Sequence, residues 1–476
     1  MTFPSQLNGR VSEDLRLLGA EPANWIPHDQ RADHDVLIVG GGQSGVAIAF
    51  ALRRAGVQRA SVIESQLPAR TGSWRAKARM RNLRTAKANL GPDLEIPSLT
   101  FQAWYEATAG RAAYEELARI PTVAWADYLD WLREMSGVVV RYGTRLVSIE
   151  PEGQRLRVRL ERDGQTVTET CRKIVLATGI AGCGEPFIPS ELAGLPTHAL
   201  THTDTPIDFS ALRGQTVAIV GAASAAFDAA STALEAGASS VHLFCRAAQL
   251  APSSNMATLN YPGAQENFYH LPDAVRWTLA WHFRERSPGP TPEVVARATR
   301  FDNFHLHLGS RDLGTQWRDD AVELRTQGAV IRADRVIAGT GYRTDLSLRP
   351  ELAAIAPSIA LWGDRYEVPA DEQGRPTVLS PYLGAGYQFL ERSVGTAPWV
   401  RQIHCFNFAA ITSFGRHVGD VGSIRAGVPR LVRHIVRDLF LGDLDQHVER
   451  LTGSVADELA YAAYAHSVVT PASADA

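Results

Sequence analysis

Two glycine-rich turns, Gly40-Gly41-Gly42-Gln43-Ser44-Gly45 and Gly221-Ala222-Ala223-Ser224-Ala225-Ala226, carry the chemistry most readily read from this chain. Each follows an apolar run and opens a helix rich in small residues, so each presents unpaired backbone N–H groups and a positive helix end to an anion. A pyrophosphate is the anion such a turn accepts. In the first turn Gly40 permits the tight bend, Gly42 lets backbone approach phosphate, and Gly45 lets helix and strand pack closely, while Glu64 at the end of the next strand can accept ribose hydroxyls. The second turn has drifted to Gly221, Ala223 and Ala226, and a base, Arg246, follows its next strand. A guanidinium there suits a 2′-phosphate, so the first turn predicts one dinucleotide and the second predicts NADPH rather than NADH.

Elements of the right kind surround both turns. Residues 36–39 form a continuous apolar run of the length expected for a strand buried on both faces. Val46, Ala47, Phe50 and Ala51 then recur with helical period, Gly56 supplies the stop, and 60–63 give the next strand. Residues 156–160 and 166–170 alternate about Asp163-Gly164 as a hairpin with one wet face, and 173–177 return to a buried strand. A crossover bearing a hairpin is typical of FAD-binding domains. The pattern repeats from residue 215, with a strand at 215–220, a helix at 225–236, a hairpin about Gln327-Gly328, and a strand from Arg335. Between them, 249–299 is rich in aromatics and prolines and reads as a helical insertion covering the cleft.

The fold class is therefore α/β, with two dinucleotide-binding, Rossmann-like three-layer domains, the NADPH domain inserted into the FAD domain. Residues 1–33 read as an outer arm with a helix at 12–18, residues 34–200 and 345–476 as the FAD domain, and 201–344 as the NADPH domain. In the returning part, Gly419-Asp420 precedes a helix with Val428, Leu431, Val432, Ile435 and Leu439 on one face. Asp420 is placed to cap that helix or to meet a ribityl chain.

Composition excludes several classes of partner. The chain has 476 residues, enough for two cores, and a formal net charge of -3, which gives no field to draw nucleic acid or an anionic membrane. It shows no signal peptide or long apolar span, so a cytoplasmic protein acting on a small molecule is expected. Cys171, Cys183, Cys245 and Cys405 are far apart, which excludes the paired thiols of dithiol flavoenzymes. His198 and His202 find no third ligand, and no metal is expected.

Taken together the motifs resemble the class B flavoprotein monooxygenases: flavin-containing, Baeyer-Villiger and N-hydroxylating enzymes. Gly40, Gly42, Gly45 and Glu64 match their FAD fingerprint, and Thr71-Gly72-Ser73-Trp74 looks like their Gly-Gly-x-Trp segment. Ala177-Thr178-Gly179 and Gly339-Thr340-Gly341-Tyr342 resemble their paired Ala-Thr-Gly turns. Their linker signature is present in part, at 192–198, with His202 where an aromatic belongs. The arrangement also looks like the FAD-dependent urate and aspartate hydroxylating flavoproteins, without singling out a substrate. The resemblance implies that NADPH reduces FAD and that reduced flavin captures O2 as a C4a-hydroperoxide, which passes one oxygen atom to a small molecule by N- or S-oxygenation or hydroxylation. It implies that Trp74 walls the flavin and that Arg81, Arg84 and Lys87 steady an anionic peroxide or substrate. A reductase serving an external acceptor, and a sensor that binds both dinucleotides without hydride transfer, are the alternatives.

Overall fold

The computed structural model describes residues 5–19, 21–28, 32–251, 261–285, 289–326, 328–453 and 459–469. Helix α1 (Ser5–Leu17) is longer than the sequence predicts and is no outer arm, since Leu7 and Val11, one turn apart, are buried in the first core. Strand β1 (His34–Val39) lies mid-sheet, parallel to β2 (Ala60–Ile63) on one side and β6 (Gln165–Leu176) on the other. Both of its faces are covered, so Leu37 and Ile38 are buried, which is why the run is apolar without alternation. Helix α2 (Gln43–Arg54) joins β1 to β2.

After β2 come α3 (Ser73–Ala76), α4 (Phe101–Ala109), α5 (Arg111–Glu116) and α6 (Thr122–Met135). Then β3 (Val140–Arg141) adds to β2, and β4 (Thr144–Glu152), β5 (Arg155–Arg162) and β6 run antiparallel. The second arm of the hairpin and the buried strand at 173–177 are one element, contrary to expectation. The first half of β6 pairs with β5, and its second half pairs with β1.

A two-stranded link, β7 (Gly184–Pro186) against β16 (Tyr342–Thr344), marks the passage into and out of the second unit. Along the chain of that unit run β8 (Leu200–His202), β9 (Thr216–Val220), α7 (Ser224–Glu235), β10 (Ser240–Phe244), α8 (Pro262–Asn267), α9 (Asp273–Glu285), α10 (Pro292–Thr299) and β11 (Phe304–His307), of which α8 and α9 pack on residues 411–442 of the returning segment. Its parallel sheet has the order β11-β10-β9-β15-β8, with β15 at Arg335–Ala338. The second hairpin gains an unforeseen third strand. Strands β12 (Gly314–Arg318), β13 (Ala321–Thr326) and β14 (Ala329–Ala333) form their own antiparallel sheet, and Gln327 in its turn lies outside the described residues.

Among its described residues the insertion is helical, but α10 turns back onto α7, where Val294 and Ala298 join the second core. Phe268 and Trp277 are buried packing residues. The chain then passes α11 (Trp362–Arg365), and β17 (Ile403–Cys405) returns to the first sheet against β6. Helix α12 (Ile411–Phe414) and the long α13 (Val421–Gly442) complete the unit, with α13 packed on α2. No helix among the described residues is long and apolar enough to cross a membrane.

Candidate functional site

The glycines of the first turn do different work. Gly40 has φ +114°, and a Cβ on it would stand 2.4 Å from the Ala177 carbonyl oxygen. A Cβ on Gly45 would fall 1.8 Å from the Gly40 oxygen. Both are demanded by the fold. A Cβ on Gly42 meets nothing nearer than Gly72 Cα at 3.9 Å, so the space at the start of α2 is open for a phosphate. Glu64 stands beside it, its carboxylate accepting the N–H of Gly41 at 2.9 Å and of Gln66 at 2.8 Å. Open space, helix end and oriented carboxylate together fit the ADP portion of FAD.

Gln43 joins this turn to the rest of the site. Its Oε1 accepts the indole N–H of Trp74 and of Trp125, each at 3.2 Å, and its Nε2 donates to the Gly419 oxygen at 2.8 Å. The two rings meet edge to face at 6.4 Å. One amide thus fixes Trp74, the 419–420 turn and the glycine turn relative to one another. Asp420 does cap α13, accepting the Ser423 N–H at 2.6 Å, and it also pairs with Arg416. Ser44 is buried beside Gly419. Replacing Gln43 by Leu is expected to shift tryptophan emission and to weaken FAD binding about tenfold, and Gln43→Glu, which keeps an acceptor for the indoles but no donor for the Gly419 oxygen, to restore the emission alone. Emission spectra and FAD titration check this, and an unaltered Leu variant would show the bridge to be idle.

Thr178 and Gly179 follow β6, and Thr178 Oγ1 accepts from Asn407 Nδ2 at 3.1 Å. Asn407 was not foreseen. It stands two residues past β17, a strand of three residues too short to announce itself by periodicity.

The second turn repeats the geometry with different residues. Gly221 has φ +118°, close to Gly40, and its Cβ would strike the Gly339 oxygen at 2.3 Å. Ala223 has φ -81° and ψ 175°, Gly42 φ -75° and ψ -171°. That conformation is open to any residue, so the alanine costs the backbone nothing. The methyl of Ala226 is accommodated because residue 339 is glycine, where a Cβ would lie 2.6 Å from Ala226 Cβ. Ser224 is buried, and its hydroxyl has no partner among the described residues, which suits a ligand at the start of α7. The second site therefore fits a pyrophosphate despite its lost glycine.

Register corrects the placing of Arg246. Val39 pairs with Ile63, and Val220 with Phe244, so the counterpart of Glu64 is the buried Cys245. Arg246 stands one position further, exposed. Thr340 and Gly341 turn towards the link between units, Thr340 Oγ1 donating to the Phe187 oxygen and the Gly341 oxygen accepting the Phe187 N–H.

Arg84 and Lys87 are not gathered with Trp74. Arg84 pairs at 3.3 Å with Asp228 on α7, and Arg81 pairs with Glu235 at 2.7 Å. Burial raises the Asp228 pKa, opposed by the charges of Arg84, Arg297 and Arg79. Lys87 Nζ donates to the carbonyls of Tyr114 and Glu115 at 2.8 and 3.0 Å. It also lines, with Asn82, Ala86, Ala88, Ala118, Arg119 and Glu293, a cleft of about 470 Å³.

A sequence profile of the pyridine nucleotide-disulphide oxidoreductases matches residues 34–261. The FAD-dependent urate hydroxylase of Xanthomonas campestris pv. campestris is 38% identical over 455 residues, which cover 94% of this chain and 96% of that one. Among solved structures, the ornithine hydroxylase of Pseudomonas aeruginosa superposes with a TM-score of 0.68 at 17% identity, over 85% of this chain and 99% of that one. The ornithine N-hydroxylase of Kutzneria sp. 744, with reduced FAD, NADP+ and L-ornithine, gives 0.63 at 16% identity, over 85% and 99%. An identity of 38% held along almost the whole of both chains, on a fold with two dinucleotide turns and no paired cysteines, settles the matter: this chain belongs to the class B flavin monooxygenases, enzymes that use FAD and NADPH to hydroxylate small molecules.

Proposed function

We propose that this enzyme consumes NADPH and O2 to hydroxylate urate or a closely related planar, anionic heterocycle. The observation that carries this reading is the extent of the likeness to the urate hydroxylase. The cleft has two cations for a small anion on its wall, Lys87 and Arg119, beside Glu293, which already takes the Asn82 amide at 2.7 Å.

In this reading Gly40, Gly42, Gln43, Ser44, Gly45, Glu64, Thr178, Gly179 and Asp420 hold FAD. Gly221, Ala223, Ser224, Ala226, Arg246, Gly339, Thr340 and Gly341 hold NADPH. Bound FAD supplies hydride acceptance and oxygen activation, chemistry that no side chain provides. The chain supplies position: Glu64 orients a ribose, Gln43 fixes Trp74 as one wall, and the paired indoles of Trp74 and Trp125 keep water from that side. Lys87 acts through its charge, its N–H groups already engaging two carbonyls.

The test is NADPH and oxygen consumption by the FAD-loaded protein with and without urate under ¹⁸O2. Stimulation by urate, with one labelled oxygen atom in the product, is expected. Peroxide formation without label in any product would mark an electron-transferring reductase. Binding without flavin reduction would mark a sensor.

A further inference from the structure

Residues 77–84 form a strap between the two nucleotide-binding units, and its two sides are fastened by different chemistry. Towards the first unit the bonds are uncharged. The Leu83 N–H donates to the Ile120 oxygen at 2.8 Å, the Thr122 N–H to the Arg81 oxygen at 2.9 Å, and Thr122 Oγ1 to the Met80 oxygen at 2.8 Å. Thr122 opens α6, which carries Trp125 and so, through Gln43, is tied to Trp74.

Towards the second unit the fastening is ionic. Lys77 pairs with Asp204 at 2.7 Å, Arg81 with Glu235 at 2.7 Å, and Arg84 with Asp228 at 3.3 Å. Arg79 adds bonds to the oxygens of Thr203 and Thr205 at 2.7 and 3.0 Å. From α10, Arg297 closes the group on Glu235 at 2.6 Å, on Asp228 at 3.6 Å and on the Arg79 oxygen at 2.9 Å. Three of the four basic residues of the strap thus meet an acid on the other unit.

The position of those acids gives the strap a bearing on the reaction. Asp228 and Glu235 are two turns apart on α7, the helix that begins at Ser224, whose hydroxyl has no partner among the described residues. Asp228 is buried, and a buried carboxylate is tolerated only when cations and donors surround it. Arg84 reaches it from the strap, and Arg297 from α10. The orientation of α7 towards the first unit is therefore fixed by charges that the strap delivers.

We propose that residues 77–84 are an electrostatic latch that sets the nicotinamide-binding unit against the flavin-binding unit, and that Asp228 and Glu235 are positioning residues for hydride delivery. They act through Arg84, Arg81 and Arg297, and touch neither cofactor. Hydride transfer demands close alignment of two rings, and a misplacement of about 1 Å can cost on the order of a hundredfold in rate. Exposed ion pairs weaken with salt, whereas the backbone bonds on the other side of the strap do not. The latch rests on the presence of both cofactors and not on the identity of the substrate, so its test runs without substrate and its failure leaves the urate reading untouched.

The test measures anaerobic flavin reduction of the FAD-loaded full chain at saturating NADPH, together with amide hydrogen exchange across 77–84. In the wild type the reduction rate is expected to fall about tenfold from low salt to about 1 M NaCl. Glu235→Gln and Arg81→Gln, at the exposed rim of the network, are expected to fall part of the way to that plateau already at low salt and to show a shallower salt dependence, since Lys77–Asp204 and Arg84–Asp228 remain. The NADPH dissociation constant should stay within about threefold, FAD content should be unchanged, and exchange at 77–84 should quicken. Asp228→Asn should reduce more slowly still, and Asp228→Glu should recover part of the rate, which a loss of folding would not show. A Glu235→Gln enzyme that reduces its flavin at the wild-type rate overturns the proposal, as does a salt dependence in it as steep as that of the wild type. A loss confined to NADPH affinity overturns it too, because it would make these acids binding residues.

Discussion

Gly42→Val is expected to give a folded protein that purifies colourless. The backbone at residue 42 is extended, and a Cβ there meets nothing closer than 3.9 Å, so the fold has room at the branch point of the new side chain. What it fills is the space in front of α2, where the pyrophosphate of FAD must lie against the N–H groups of the helix start. Losing two or three charge-assisted bonds at about 1.5–3 kcal/mol each weakens FAD binding by at least about a hundredfold. Gly45→Ala is the contrasting control. Its methyl would sit 1.8 Å from the Gly40 oxygen, so it is expected to break the turn and destabilise the protein whether or not FAD is present. Circular dichroism, thermal melting and FAD titration separate the two outcomes. A yellow Gly42→Val protein would remove this turn from the flavin site.

How legible the site was depended on whether its parts are local in sequence. The unit from β1 through the glycine turn and α2 to β2 and Glu64 can be read directly, because each step rests on neighbours within one turn or one strand. Strand β6 was read as two because its exposure changes midway. Its first half is open to water on both faces, Val167 included, and its second half is buried, so a polar run passes into a continuous apolar one without a turn between. Helix α1 was placed outside because only Leu7 and Val11 mark its buried face. The lost glycine at 223 reads as a defect in sequence and is none, because the backbone there is extended, while Ala226 fits because Gly339, more than a hundred residues away, stands opposite it. Arg81 and Arg84 were read as active-site cations for the same reason. Their acids, Glu235 and Asp228, belong to a different unit, and no local pattern announces a partner so distant.

Arg246→Ala is expected to lower kcat/KM for NADPH about 10- to 100-fold and that for NADH by no more than about threefold. In the first unit the residue that ends the second strand is Glu64, a carboxylate held by two backbone N–H groups. In the second unit register places Cys245 there, a buried thiol that cannot accept two ribose hydroxyls as a carboxylate does. The second site thus lacks the group that would favour NADH, and nothing at that position repels a 2′-phosphate. One residue on, Arg246 stands exposed at the same end of β10, where its planar guanidinium can close on a doubly charged phosphate. Being exposed, the contact should weaken with salt, so the discrimination between the two nucleotides should shrink in the wild type as ionic strength rises and stay small in the variant. Steady-state kinetics with both nucleotides at two salt concentrations tests each part. Equal losses for NADPH and NADH would reject Arg246 as the phosphate partner and leave the preference to be explained by the exposed Arg311, which follows β11 in the same sheet.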